Sequence, residues 1–264
     1  MALTISELKD IALNLSERLK VDYTNFADGF FRRRIAYLFD KMSFHRTQDL
    51  YSALASLVKF DEIAYYLSVP QTELFRAPAF WRHIIKTLAD PNIKSIWLPD
   101  LSSYHELYSL LITLDMAGRN DIRVVANLLS DKAKNAILSL NVNKKDEQQD
   151  ISNFQRLETQ ASFDQYVLTM PDGSRQLRKG LVDTVEFRNG WFINTQNQKF
   201  DIIILRDTLL SYNLKLHQQA VAHLVDSLSR PGALLCIGAG ERPLGSQNRL
   251  APDSSTEGVY SLIA

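Results

Sequence analysis

Leu67-Ser68-Val69-Pro70-Gln71-Thr72-Glu73-Leu74-Phe75-Arg76 and, further along, Ile96-Trp97-Leu98-Pro99-Asp100-Leu101-Ser102-Ser103-Tyr104-His105-Glu106-Leu107-Tyr108-Ser109 mark where this chain changes character. Proline disfavours helix at the residue before it, so Pro70 closes the helical pattern that precedes it. Thr72 is then placed to cap a new helix running through Phe80 and Trp81 to Leu88. The apolar run Ser95–Leu98 reads as a buried parallel strand, and Tyr104–Met116 as the helix that follows it. A strand leading through a short loop into a helix begins an α/β arrangement, whose ligand crevice lies at the carboxyl ends of its strands.

Upstream, the sequence predicts only helices. Thr4 and Glu7 form a capping-box pair, and Leu8, Ile11, Ala12, Leu15 and Leu19 follow at helical spacing. A second helix is expected from Thr24 to Met42, with Phe26, Phe30, Leu38 and Met42 as core contacts, and Thr47 caps a third carrying Leu50, Leu54 and Leu57. Downstream, strand-like runs at Arg123–Ala126, Asp201–Leu205 and Ala233–Gly238 alternate with helical stretches at Ser130–Leu140 and Leu216–Ser229. Tyr166–Met170, the turn Pro171-Asp172-Gly173, and Leu177–Phe187 read as an antiparallel hairpin. The polar stretch Asn143–Asp150 reads as a mobile loop. The expected layout is a helical unit at 1–66, a linker and connecting helix at 67–93, and an α/β domain at 94–264 with an antiparallel insertion at about 162–190.

Composition narrows the function classes. Lys plus Arg and Asp plus Glu each number 30, so net charge gives no argument for nucleic acid or an anionic membrane. The lone cysteine, Cys236, lies in an apolar run and reads as a packed strand thiol. Five scattered histidines with one cysteine give no metal-ligand spacing, so no metal is expected. With no long apolar span and no leader pattern, the expectation is a cytoplasmic protein without membrane insertion.

The two opening stretches resemble the linker (roughly L-T-I-N-x-T-x-F-F-R) and cofactor loop (roughly W-S-A-x-C-S-T-G-E-E-P-Y-S) of CheR-type chemoreceptor glutamate methyltransferases. The resemblance continues through Phe200–Asp207, Pro231–Leu234, Gly238-Ala239-Gly240-Glu241 and Tyr260, in the family's order. It implies a small helical domain joined to a Rossmann-like class I methyltransferase domain with a small antiparallel β insertion. It also implies S-adenosylmethionine as cofactor and methyl transfer to a protein glutamate. A carboxylate is already ionised at neutral pH, so such chemistry rests on alignment of methyl group and acceptor rather than on a strong base.

Residue by residue, the resemblance makes Arg76, Arg206 and Tyr212 (one place beyond the matched Ser211) substrate-side or catalytic positions. It makes Thr72, Ser102, Ser103, Glu106 and Asp207 cofactor-side positions. Thr72 is equally a helix cap, and Arg76 equally a partner for Asp100 or Asp207. Four positions depart from the pattern: Tyr104 replaces the loop glycine, His105 the first glutamate, Leu128 the ribose-binding aspartate and Trp191 an asparagine near the adenine. These departures predict weakened or lost cofactor binding, a crevice filled by side chains including Tyr104 and Trp191, and a role as a binding or regulatory component in chemotaxis-like or motility signalling. The alternatives are an active protein-glutamate methyltransferase with a remodelled pocket and a sensor of another nucleotide or metabolite. Arg32, Arg33 and Arg34 form a candidate face for a receptor-like or signalling protein.

Overall fold

The computed structural model describes residues 3–196 and 198–263. Its first unit consists of α1 (Ile5–Leu19), α2 (Asp28–Met42), α3 (Thr47–Leu54) and α4 (Leu57–Leu67). The predicted box at the start of α1 is formed, with Thr4 Oγ1 accepting from the Glu7 N–H and Glu7 accepting from the Thr4 N–H. α2 starts at Asp28 rather than at Thr24, because Tyr23–Asn25 forms a separate 3-10 turn. The predicted third helix is two helices. Leu57 opens α4 and is 88% exposed instead of contributing to the core.

Arg34 is where the basic run divides. Its Nε donates to Leu67 O at 3.2 Å, and its terminal nitrogen donates to Ser68 O at 2.5 Å and to Tyr66 O. The guanidinium therefore satisfies the orphan carbonyls at the negative end of α4. Arg34 is a structural cap, and only Arg32 and Arg33 stand exposed as the predicted face requires.

The linker does not become helix at Thr72. Phe75 and Ala77 have φ of 53° and 56°, in the left-handed region that a bulky residue rarely adopts, and α5 (Pro78–Thr87) begins after them. Proline at the first helical position suits that start. The strained segment is held from outside: the Leu74 N–H donates to Asp150 Oδ1 at 2.7 Å and the Phe75 N–H to Ser109 Oγ at 2.8 Å, with Phe75 fully buried.

The second unit runs β1 (Ser95–Leu98), α6 (Tyr104–Met116), β2 (Arg123–Leu128), α7 (Asp131–Leu138), β3 (Asn141–Val142), α8 (Glu147–Gln155), β4 (Val167–Thr169) and β5 (Arg175–Leu177). It continues with β6 (Val185–Asn189), β7 (Ile202–Leu205), α9 (Leu214–Asp226), β8 (Leu234–Ile237), β9 (Leu250–Pro252) and β10 (Val259–Leu262). The main sheet is ordered β6-β2-β1-β7-β8-β10-β9, parallel from β6 to β8 and antiparallel at β10 and β9. Order reverses between β1 and β7, the switch point where a doubly wound sheet opens its crevice. Cys236 is fully buried in β8, and burial pushes its thiol up to about 12.

Two expectations are corrected. Val185–Asn189 pairs parallel with β2 in the main sheet, so the small antiparallel sheet is β3-β5-β4 alone. The polar stretch from Asn143 is a 3-10 turn at Lys144–Asp146 and then α8, where Asp150 is fully buried.

One core layer joins the helical unit (Leu15, Ile35, Leu38) to Trp191, Phe192, Ile203 and α9, and the other packs α5 and α6 against the opposite sheet face. The 3-10 turn docks directly beyond β7, where the Ala27 N–H donates to Ser211 O at 2.8 Å and the Asn213 N–H to Asn25 O at 2.9 Å.

Candidate functional site

The crevice at the carboxyl ends of β1 and β7 is a cavity of about 130 Å³, with a recess of about 20 Å³ beside it. Ser102, Arg206 and Asp100 border both. Arg76, Asp207, Tyr212 and Trp191 line the larger cavity, and Ser103 and Glu106 the recess. The structure thus gathers most of the residues singled out from the sequence, but it spends their polar atoms on one another.

Glu106 shows this most directly. Its side chain is 7% exposed and accepts from the Arg206 guanidinium at 3.1 Å, the arginine being 6% exposed. The Gln71 side-chain amide donates to the second oxygen of Glu106. Arg206 also donates to Arg76 O at 3.1 Å and lies 4.4 Å over the Phe80 ring. Both residues are therefore parts of one buried hydrogen-bonded network.

The linker takes up the loop serines as well. Ser102 Oγ donates to Val69 O at 2.6 Å, and Ser103 Oγ accepts the Gln71 N–H at 3.2 Å. Thr72 is exposed and donates to Glu73, so it neither caps a helix nor borders the cavity. Arg76 lies 3.6 Å from Asp207 and 3.8 Å from Glu73. Of the two pairings open to Arg76, the structure selects Asp207.

Asp207 sits in a left-handed turn (φ 63°) fastened by Glu241, which accepts the N–H groups of Asp207, Leu210 and Gly238 at 3.1, 3.1 and 2.6 Å. A Cβ at Gly238 would stand 2.3 Å from Asp207 Oδ1, so a larger residue there would have to displace that carboxylate. Tyr212 is 7% exposed, and burial first, then the Asp100 carboxylate, raises its phenol well above the usual range. A phenol so shifted is not a base at neutral pH.

The departures fall partly elsewhere than expected. Trp191, 6% exposed, is a wall of the cavity. Tyr104 is not a plug: its hydroxyl accepts the Asn143 N–H at 2.8 Å and its ring stacks on His105 at 4.0 Å. His105, in the first turn of α6, is 6% exposed, and burial takes its ring down to about 4. Leu128 turns into the core at 1% exposure, and Leu129 takes the cavity wall. Asn127, the nearest amide, is held by the Trp97 Nε1–H at 2.8 Å.

Sequence reasoning missed Asp100, Gln71 and the aromatic wall of Tyr23, Phe26 and Phe30. Asp100 had a usable signal, since it follows β1 on the side where the crevice must open. Among the described residues no group of His, Cys, Asp and Glu is placed to hold a metal ion, and no helix is long and apolar enough to cross a membrane.

A mostly parallel sheet of this order, with its crevice at the β1/β7 switch and three short antiparallel strands beside it, is the Rossmann-like methyltransferase architecture expected from the sequence. Residues 70–259 match the CheR methyltransferase family in its SAM-binding domain, and the chain belongs to that family. The chain is 25% identical over 228 residues to a Pseudomonas putida protein named "Putative methyltransferase Cher3", covering 81% of each. It is also similar to magnesium protoporphyrin IX methyltransferase from Synechocystis with bound SAM (13% identity, 99% and 97% of the two chains, TM-score 0.37). A Burkholderia thailandensis O-methyltransferase family protein is similar at 12% identity over 88% and 51% of the chains, TM-score 0.35.

S-adenosylmethionine is thus the cofactor the family implies. Around this crevice Leu129 forms the wall beyond β2, Glu106 is doubly engaged by Arg206 and Gln71, and the cavity measures about 130 Å³.

Proposed function

We propose that this chain is a CheR-family protein that has lost productive S-adenosylmethionine binding. It acts as a cytoplasmic binding or regulatory component of a chemotaxis-like or motility signalling system. The observation that carries this is the engagement of Glu106 by Arg206 and Gln71 at the heart of the cofactor loop. A cofactor would have to displace both while finding no hydrogen-bond acceptor at Leu129. Each forfeited polar contact costs about 1–3 kcal/mol, and three of them take a micromolar ligand beyond useful concentrations.

The retained helical unit supplies the partner surface. Arg32 and Arg33 are exposed on α2 and suit an acidic protein segment, in a manner that salt weakens.

Calorimetric titration of the purified protein with S-adenosylhomocysteine tests the central point. No saturable heat is expected up to millimolar ligand. A dissociation constant in the low micromolar range refutes the reading and restores an active protein-glutamate methyltransferase as the best account.

A further inference from the structure

The larger cavity of the crevice carries a cluster of aromatic side chains. Tyr23, Phe26, Phe30, Trp191 and Tyr212 line it together with Asp100. The aromatic wall is continuous: Phe26 meets Tyr23 and Tyr212 at 5.0 Å between ring centres, and Phe30 at 6.0 Å. Its charges are also unequal. Arg206 is neutralised by Glu106, and Arg76 is shared between Asp207 and Glu73. Asp100 is the carboxyl left over. Burial alone raises it, to about 6, with no cation or donor acting on it among the described residues. It is therefore ionised and unpaired at neutral pH.

Aromatic faces beside an unpaired carboxylate in a confined space recognise organic cations. A cavity of about 150 Å³ holds a benzene-sized molecule, so 130 Å³ matches a methylated ammonium head group. We infer that this cavity binds a small methylated ammonium group, with Asp100 as counter-ion and the aromatic side chains as its cage. The inference rests on the reading above that S-adenosylmethionine does not occupy the crevice. Because Tyr23, Phe26 and Phe30 come from the helical unit and Trp191 and Tyr212 from the α/β unit, such a ligand would bridge the two.

The test titrates choline, and its neutral isostere 3,3-dimethyl-1-butanol, into the full chain, followed by calorimetry and tryptophan fluorescence. Choline should bind saturably in the millimolar range or better, and about tenfold more tightly than the isostere. Asp100→Asn, isosteric at a group with no partner to lose, should sharply reduce that preference without lowering the thermal midpoint, since it removes an unpaired buried charge. Absence of saturable choline binding, equal binding of choline and isostere to the natural chain, or an unchanged preference in Asp100→Asn each overturns the inference. The S-adenosylhomocysteine titration separates the two readings: tight binding there refutes the lost cofactor site, whereas failure of both ligands refutes the ammonium site alone.

Discussion

Replacing Arg206 with methionine should destabilise the protein by about 3–5 kcal/mol, because it strips the counter-ion from a buried carboxylate. The geometry sets this magnitude. The two side chains are 6% and 7% exposed and 3.1 Å apart, so little water is at hand to replace the guanidinium. Glu106 would keep only the Gln71 amide, and the hydrogen bond to Arg76 O and the contact with Phe80 would go as well. Methionine preserves much of the volume, so the loss is electrostatic rather than a cavity effect. Urea unfolding followed by circular dichroism, compared at equal slope, measures it. Combining Arg206→Met with Glu106→Gln should recover at least about 2 kcal/mol relative to the sum of the single changes. If Arg206→Met costs under about 1 kcal/mol and the pair is additive, the network is not closed, Glu106 is available to a ligand, and the argument against cofactor binding loses its main support.

Two further outcomes follow from buried groups outside the crevice. Arg34→Ala should cost about 2–3 kcal/mol in the same assay by orphaning the α4 carbonyls, whereas Arg32→Glu with Arg33→Glu should stay within about 0.5 kcal/mol; equal effects would return Arg34 to the exposed face. Burial raises Asp150 to about 7, opposed by the Leu74 N–H, so the native state holds its proton to higher pH than the unfolded chain does; this contribution to stability declines as pH rises from the ordinary 3.8 towards 7 and is lost above it. Asp150→Asn should flatten that slope and stabilise the protein at pH 8, and a variant with the natural chain's slope would show that Asp150 titrates normally.

What the sequence made legible follows from what a side-chain pattern can encode. Ile202–Leu205 and Ser95–Leu98 are central strands apolar on both faces, so their runs are unmistakable. Val185–Asn189 is an edge strand of mixed exposure, and its alternation looks the same whether its partner is parallel or antiparallel. The charged stretch before α8 reads as solvent-loving, since nothing local reveals that Asp150 is needed inside to hold the Leu74 N–H. Three arginines in a row are likewise equivalent in sequence. Helical rotation then sends the third against the end of α4 and leaves the other two outside. At the site, the alternation of strand and helix located the crevice, but pairing decided what it offers: Leu128 and Leu129 are interchangeable on paper and face opposite ways in space.

Under the proposed loss of cofactor binding, the linker accounts for how the family's residues survive. Val69 O and the Gln71 backbone and side chain hold Ser102, Ser103 and Glu106, while Leu74 and Phe75 are fixed behind them by Asp150 and Ser109. Any ligand seeking the cofactor loop must first lift this segment, at about 1 kcal/mol for each hydrogen bond released, before making contacts of its own. A ligand shifts such an equilibrium only by its differential affinity for the two arrangements. Leu129 and the buried Arg206–Glu106 pair leave a nucleoside little with which to gain that difference. A small cation between Asp100 and the aromatic wall needs no movement of the linker. The packing that engages the cofactor loop on the proposed reading therefore leaves the neighbouring cavity, with Asp100 and its aromatic wall, for a ligand of a different chemistry.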